Sequence, residues 1–91
     1  MHLYEVIATD GTILSVFAAD YNDAATLFMA WHIANEEGPL PDFEVRRRNP
    51  KWPGINTAHL LKALAREIEG IGRYDPARGW SILSPLDRGE H

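Results

Sequence analysis

The densest chemistry in this chain lies in one short run. Arg46-Arg47-Arg48-Asn49-Pro50-Lys51-Trp52 sets four cations beside an indole. Guanidinium and ammonium groups can hold phosphates, and an indole can stack on an exposed base. The acids just before the run are its counterpart: Glu36, Glu37, Asp42 and Glu44. They could meet a basic partner surface, or neutralise the arginines within the fold. The histidines His2, His32, His59 and His91 are scattered, and none shares a recognised metal spacing with another ligand. Neither a metal nor a cofactor is expected. A nuclease-like grouping of His59, Arg66 and Tyr74 can be imagined, but nothing in the sequence fixes its geometry. Glu36-Glu37, Asp42-Glu44 and Glu67-Glu69 read as solvated acids, since acid–base work needs a pair held in a cleft. The serines lack a nucleophile-elbow context, and Gly70-Ile71-Gly72 follows a helix where a phosphate loop would open one. No catalytic residue is expected, and the chain reads as non-enzymatic.

Charge is distributed unevenly. The first 45 residues carry eight acids and no lysine or arginine; the remainder carries nine bases and five acids, for a net charge of −4. Such asymmetry points to an interaction surface. The acidic balance argues for solubility and against general affinity for nucleic acid. With no cysteine, disulfides, thiolate metal sites and thiol nucleophiles are all excluded, which suits a reducing compartment. Met1-His2-Leu3-Tyr4-Glu5 does not open a signal peptide, and no run approaches the roughly 20 apolar residues of a membrane span. A cytoplasmic protein without membrane attachment is expected.

The elements that must position these residues follow from periodicity. Residues Leu3 to Thr9 and Thr12 to Ala18 are rich in strand formers around Asp10-Gly11, which suits a two-residue type I′ hairpin. That turn sets Ala8 opposite Ile13, Val6 opposite Ser15 and Tyr4 opposite Phe17. Both hairpin faces are apolar, so one meets the core and the other is covered or left for a partner. A first helix is expected from about Asp23 to Glu36, capped by Asn22 or Asp20 and stopped at Gly38. Ala24, Leu27, Phe28, Trp31 and Ala34 form its core stripe. The opposite side holds Ala25, Met29, Ala30 and Ile33, so Met29 and Ile33 are candidates for a protein interface. His32, on this apolar helix, reads as a packed side chain.

Asp42 to Arg48 reads as a third strand, with Phe43, Val45 and Arg47 on one side and Glu44 and Arg46 on the other. A second, amphipathic helix is expected from about Ala58 to Glu69, capped by Asn56 or Thr57 and closed by Gly70. Its solvated face holds His59, Lys62, Arg66 and Glu69. A turn at Asp75-Pro76 and a short last strand, Trp80 to Leu83, complete the chain, with 86–91 as a flexible tail. The order β-β-α-β-α-β predicts a single α+β domain, 1–91. It would be a two-layer sandwich with a mainly antiparallel sheet and both helices on one face.

Taken together, size, absence of cysteine, acidic balance, element order and lack of a catalytic motif resemble the small phage and mobile-element proteins that include anti-CRISPR inhibitors. The resemblance implies a stoichiometric protein binder that blocks a nucleic-acid-binding surface of a CRISPR–Cas effector subunit. Glu36, Glu37, Asp42 and Glu44 would supply an acidic patch, with Met29 and Ile33 as its desolvated centre. Two further readings stand beside it. One is a nucleic-acid-associated accessory protein using Arg46, Arg47, Arg48, Lys51 and Trp52. The other is a homodimer joined through Met29 and Ile33.

Overall fold

Alternating strand side chains sort the apolar residues onto two sheet faces, and each face meets a different helix. The computed structural model describes residues 1–48, 54 and 56–85. The order is β1 (His2–Ala8), β2 (Ile13–Ala18), α1 (Tyr21–Asn35), β3 (Phe43–Arg47), α2 (Thr57–Leu64), β4 (Gly70–Asp75) and β5 (Gly79–Leu83). All pairings are antiparallel, in the spatial order β3-β1-β2-β4-β5. The α+β class and the strand-rich order agree with the sequence reading.

The hairpin register differs by one residue from that expected. Tyr4 pairs with Val16 and Leu3 with Phe17, not Tyr4 with Phe17. The cause is the turn. Gly11 N–H donates to Ala8 carbonyl at 3.1 Å, Ala8 N–H donates to Thr12 carbonyl at 2.9 Å, and Gly11 has φ +96°. This is a three-residue loop with a left-handed glycine, which suits a type I turn and bulge better than the two-residue turn. Asp10 Oδ1 favours it by accepting the Thr12 N–H at 2.9 Å. Because a one-residue slip exchanges faces, Val16 and Phe17 swap roles.

On the first face, Tyr4, Val6, Ala8, Val16, Ala18 and Ile71 pack against Ala24 and Phe28 of α1, with Phe43 and Val45 from β3. Helix α1 has the expected core stripe, and Asp20 caps it by accepting the Asp23 N–H at 2.8 Å. His32 is buried, with Nε2 3.4 Å from the Gly38 carbonyl. On the second face, Leu3 and Phe17 pack against Leu60 and Ala63 of α2, flanked by Trp80 and Ile82. The helices therefore cover opposite faces, which corrects the expectation of both on one. The reason lies in the hairpin: with apolar residues on both sides, one helix cannot bury it.

Two further boundaries move. Helix α2 ends at Leu64, and Glu67 turns the chain at φ +53° after short-range bonds from Arg66 N–H to Ala63 carbonyl and from Glu67 N–H to Leu64 carbonyl. Gly70 is then the first residue of β4, a strand absent from the sequence reading. No helix among the described residues is long and apolar enough to cross a membrane. The expected tail, 86–91, lies outside the described residues.

Where β2 runs into α1, three acids converge. Glu69 Oε2 accepts the Ala19 N–H at 2.8 Å. The neighbouring Glu69 carboxylate as hydrogen-bond acceptor, then the charges of Asp20 and Glu69, raise the Asp23 pKa above its ordinary value. A raised carboxyl pKa means that the native state holds this proton more tightly than the unfolded chain. Its stabilising contribution is present below the unfolded value of 3.8 and disappears as pH rises through the higher native value. Asp23→Asn, which keeps a donor for Glu69, should therefore melt above the parent protein at neutral pH. The gap should narrow on acidification to about pH 3. Thermal melts across that range check it, and a gap that widens with acid would refute the pairing.

Candidate functional site

The acidic and apolar residues at the end of α1 form the first candidate surface. Met29 and Ile33 are one helical turn apart on α1, off its buried stripe of Ala24, Phe28 and His32. Met29 is half-buried, whereas Ile33 is 78% exposed. Glu36 is the C-cap residue and its backbone N–H donates to the His32 carbonyl, so Glu36 and Glu37 follow Ile33 by about one more turn. Both glutamates are exposed, and no cationic partner within salt-bridge distance is found for them among the described residues. Leu40, 43% exposed, extends the apolar part along the connection to β3.

Asp42 and Glu44 are placed differently. The Asp42 carbonyl accepts the Thr9 N–H at 2.9 Å, which anchors the start of β3 beside β1. Together with Ile7, Ala8, Thr9 and Phe43 they line a shallow hollow of about 360 Å³. The register sets Glu44 opposite Ile7, on the sheet face away from α1. Glu44 is thus not brought together with Met29 and Ile33. Its partner is Arg46, at 3.0 Å, whose hydrogen bond and charge lower the Glu44 pKa.

The arginine run is largely engaged within the fold. Arg46 pairs with Glu44, and Arg48 Nη1 donates to Glu5 Oε2 at 2.6 Å. The Arg48–Glu5 side chains are only 27% and 25% exposed, so this pair is shielded from solvent more than the first. Arg47 lies opposite Tyr4 on the first sheet face and is exposed. Its charge, after burial, helps to lower the His2 pKa. Lys51 and Trp52 lie outside the described residues. Internal neutralisation thus holds for Glu44 but extends to Glu5, not to Glu36 or Glu37.

A different basic cluster emerges where α2 meets the β4–β5 hairpin. His59, Lys62 and Ala63 of α2 and Arg66 just beyond it, with Arg78, Gly79 and Trp80, line a cleft of about 380 Å³. His59 Nδ1 is 2.9 Å from the Tyr74 hydroxyl, and Tyr74 packs on Trp80 with ring centroids 5.1 Å apart. Arg66 Nη1 reaches the Trp80 carbonyl at 3.4 Å. The fold thus gathers His59, Arg66 and Tyr74, whose geometry the sequence left open. The helical spacing of His59, Lys62 and Arg66 was visible; Arg78 was not, because its hairpin was unrecognised. Among the described residues no group of three or more histidine and acidic side chains is placed to hold a metal ion.

The second sheet face also has an uncovered end. Helix α2 covers Leu3 and Phe17, but Ile7 pairs with Ile13 beyond it, and Ile13 is 64% exposed. No family model matches this chain, and no curated protein and no solved structure matches it.

Proposed function

We propose that this chain is a non-enzymatic, protein-binding inhibitor of the anti-CRISPR type. It would dock the end of α1 and the loop that follows onto a basic, nucleic-acid-binding surface of a Cas effector subunit in the cytoplasm. The observation that carries this reading is Ile33, 78% exposed and followed by the exposed glutamates Glu36 and Glu37. An exposed isoleucine gains by desolvation when a partner covers it, and acids around it select a cationic partner and speed encounter. Leu40 enlarges the apolar centre. Asp42, at the end of that loop, would belong to its rim, whereas Glu44 faces the other side of the sheet and pairs with Arg46.

The test is inhibition of guide-directed DNA binding by purified Cas effector complexes at stoichiometric inhibitor. Inhibition of at least one complex is expected. Ile33→Asp combined with Glu36→Lys and Glu37→Lys should weaken it more than tenfold, a loss of at least about 1.4 kcal/mol of binding free energy. Because these side chains are exposed, the variant should fold normally. Full inhibition by the triple variant, or none by the parent on any complex, would refute the proposal.

The same isoleucine could instead meet a second copy. Light scattering separates the two: a mass near 10.3 kDa at working concentration excludes the homodimer. The accessory nucleic-acid reading through Arg46 to Trp52 draws less support, since Glu44 and Glu5 engage Arg46 and Arg48.

A further inference from the structure

Three like charges line the cleft between α2 and the β4–β5 hairpin. Lys62 stands on the last turn of α2, Arg66 on the turn that follows it, and Arg78 on the β4–β5 turn, and all three line the same cleft. Among the described residues no carboxylate lines this cleft, and none lies within salt-bridge distance of Lys62, Arg66 or Arg78. Two nearby acids are engaged elsewhere: Asp75 Oδ1 accepts the Ala77 N–H at 2.8 Å, and Glu69 accepts the Ala19 N–H. Converging cations without counterions raise the local potential and favour an anion.

The walls suit a phosphate-bearing nucleotide better than a simple carboxylate. Guanidinium groups match phosphate oxygens in a fork, and Trp80 offers an indole beside them. The hairpin runs close to His59 at Gly79, whose φ of +92° favours glycine and where a Cβ would only touch the imidazole, 3.4 Å away. Tyr74 fixes that imidazole through Nδ1, leaving Nε2 as the ring's other polar atom.

We propose that the cleft between α2 and the β4–β5 hairpin binds the phosphates of a nucleotide or single-stranded nucleic acid, through Lys62, Arg66 and Arg78, with Trp80 beside the base. This is independent of the protein-docking surface on α1, which lies on the other side of the sheet.

Fluorescence anisotropy with a labelled single-stranded oligonucleotide tests it on the full chain, with a mononucleotide, inorganic phosphate and a poly-glutamate peptide as competitors. Binding at low salt is expected. With about three phosphates neutralised, the log–log salt slope should be near −2, so that affinity falls roughly twentyfold between about 50 and about 200 mM salt. Lys62→Ala, Arg66→Ala and Arg78→Ala combined should lose at least tenfold in affinity while retaining the parent's NMR spectrum away from the cleft. Arg73→Ala, on the opposite face of β4, should change affinity less than twofold. A mononucleotide competing as well as the strand assigns a single nucleotide as ligand, whereas affinity that grows with strand length assigns a strand. Absence of binding at low salt, equal loss in Arg73→Ala, or poly-glutamate competing as well as the oligonucleotide would overturn the proposal.

Discussion

Phe28→Ala and Phe17→Ala should each destabilise the protein by about 3–5 kcal/mol, the usual cost of deleting a buried phenyl ring. Both rings are fully buried, but in separate clusters. Phe28 projects from α1 onto the sheet, with its ring centroid 4.7 Å from that of Phe43. Phe17 lies under α2 and meets Trp80 edge-on at 5.2 Å. Changes that share no partners combine almost additively, so the double variant should lose about 6–10 kcal/mol. A 91-residue domain has roughly 5–14 kcal/mol in total, so the double variant should lose most of its stability and unfold unless the parent lies near the top of that range. Urea denaturation of both single variants checks the claim. If either costs less than about 1 kcal/mol, the corresponding face is not a core.

The two-sided core was half legible in the sequence. Strand alternation showed both hairpin faces to be apolar, and the stripe of Ala24, Leu27, Phe28 and Trp31 marked the buried side of α1. What periodicity could not supply was the register. Asp10-Gly11 is compatible with a two-residue or a three-residue loop, and the choice rests on hydrogen bonds from Gly11, Ala8 and Thr12. That single residue decides whether Phe17 joins Tyr4 or Leu3, and so which helix it meets.

Strand β4 was hidden for another reason. Gly70-Ile71-Gly72-Arg73-Tyr74-Asp75 holds two glycines and ends at a turn signal, a composition that ordinarily weakens a strand. Those glycines are required by neighbours distant in sequence. The same blindness concealed the basic cleft, half of whose wall comes from the hairpin that β4 begins. The acidic surface was easier to see, because Ile33, Glu36 and Glu37 follow one another at the end of one helix and need no long-range pairing.

Gly70→Ala should show how tightly that hairpin is fitted. At an unconstrained position, replacing glycine with alanine stabilises by about 0.4–1 kcal/mol, by restricting the unfolded chain. At Gly70 the added Cβ would collide with the Leu83 carbonyl oxygen and lie 3.0 Å from Ile82 Cγ2. The first obstacle is backbone and cannot rotate away, so β5 must shift. Because Trp80 and Ile82 on β5 support Leu60 and Phe17, the shift would propagate into the second core. A loss of about 3 kcal/mol is expected, at the upper end of overpacking costs. Gly72→Ala meets side chains instead, at 2.7 Å from Phe17 Cε2 and 3.2 Å from Trp80 Cε3. Its loss should be smaller if Trp80 can turn aside and comparable if Phe17, fully buried, cannot. Urea titration of both variants measures this directly. Stabilisation by Gly70→Ala would mean that β5 does not lie against β4 as described, and the cleft at Trp80 would lose its wall.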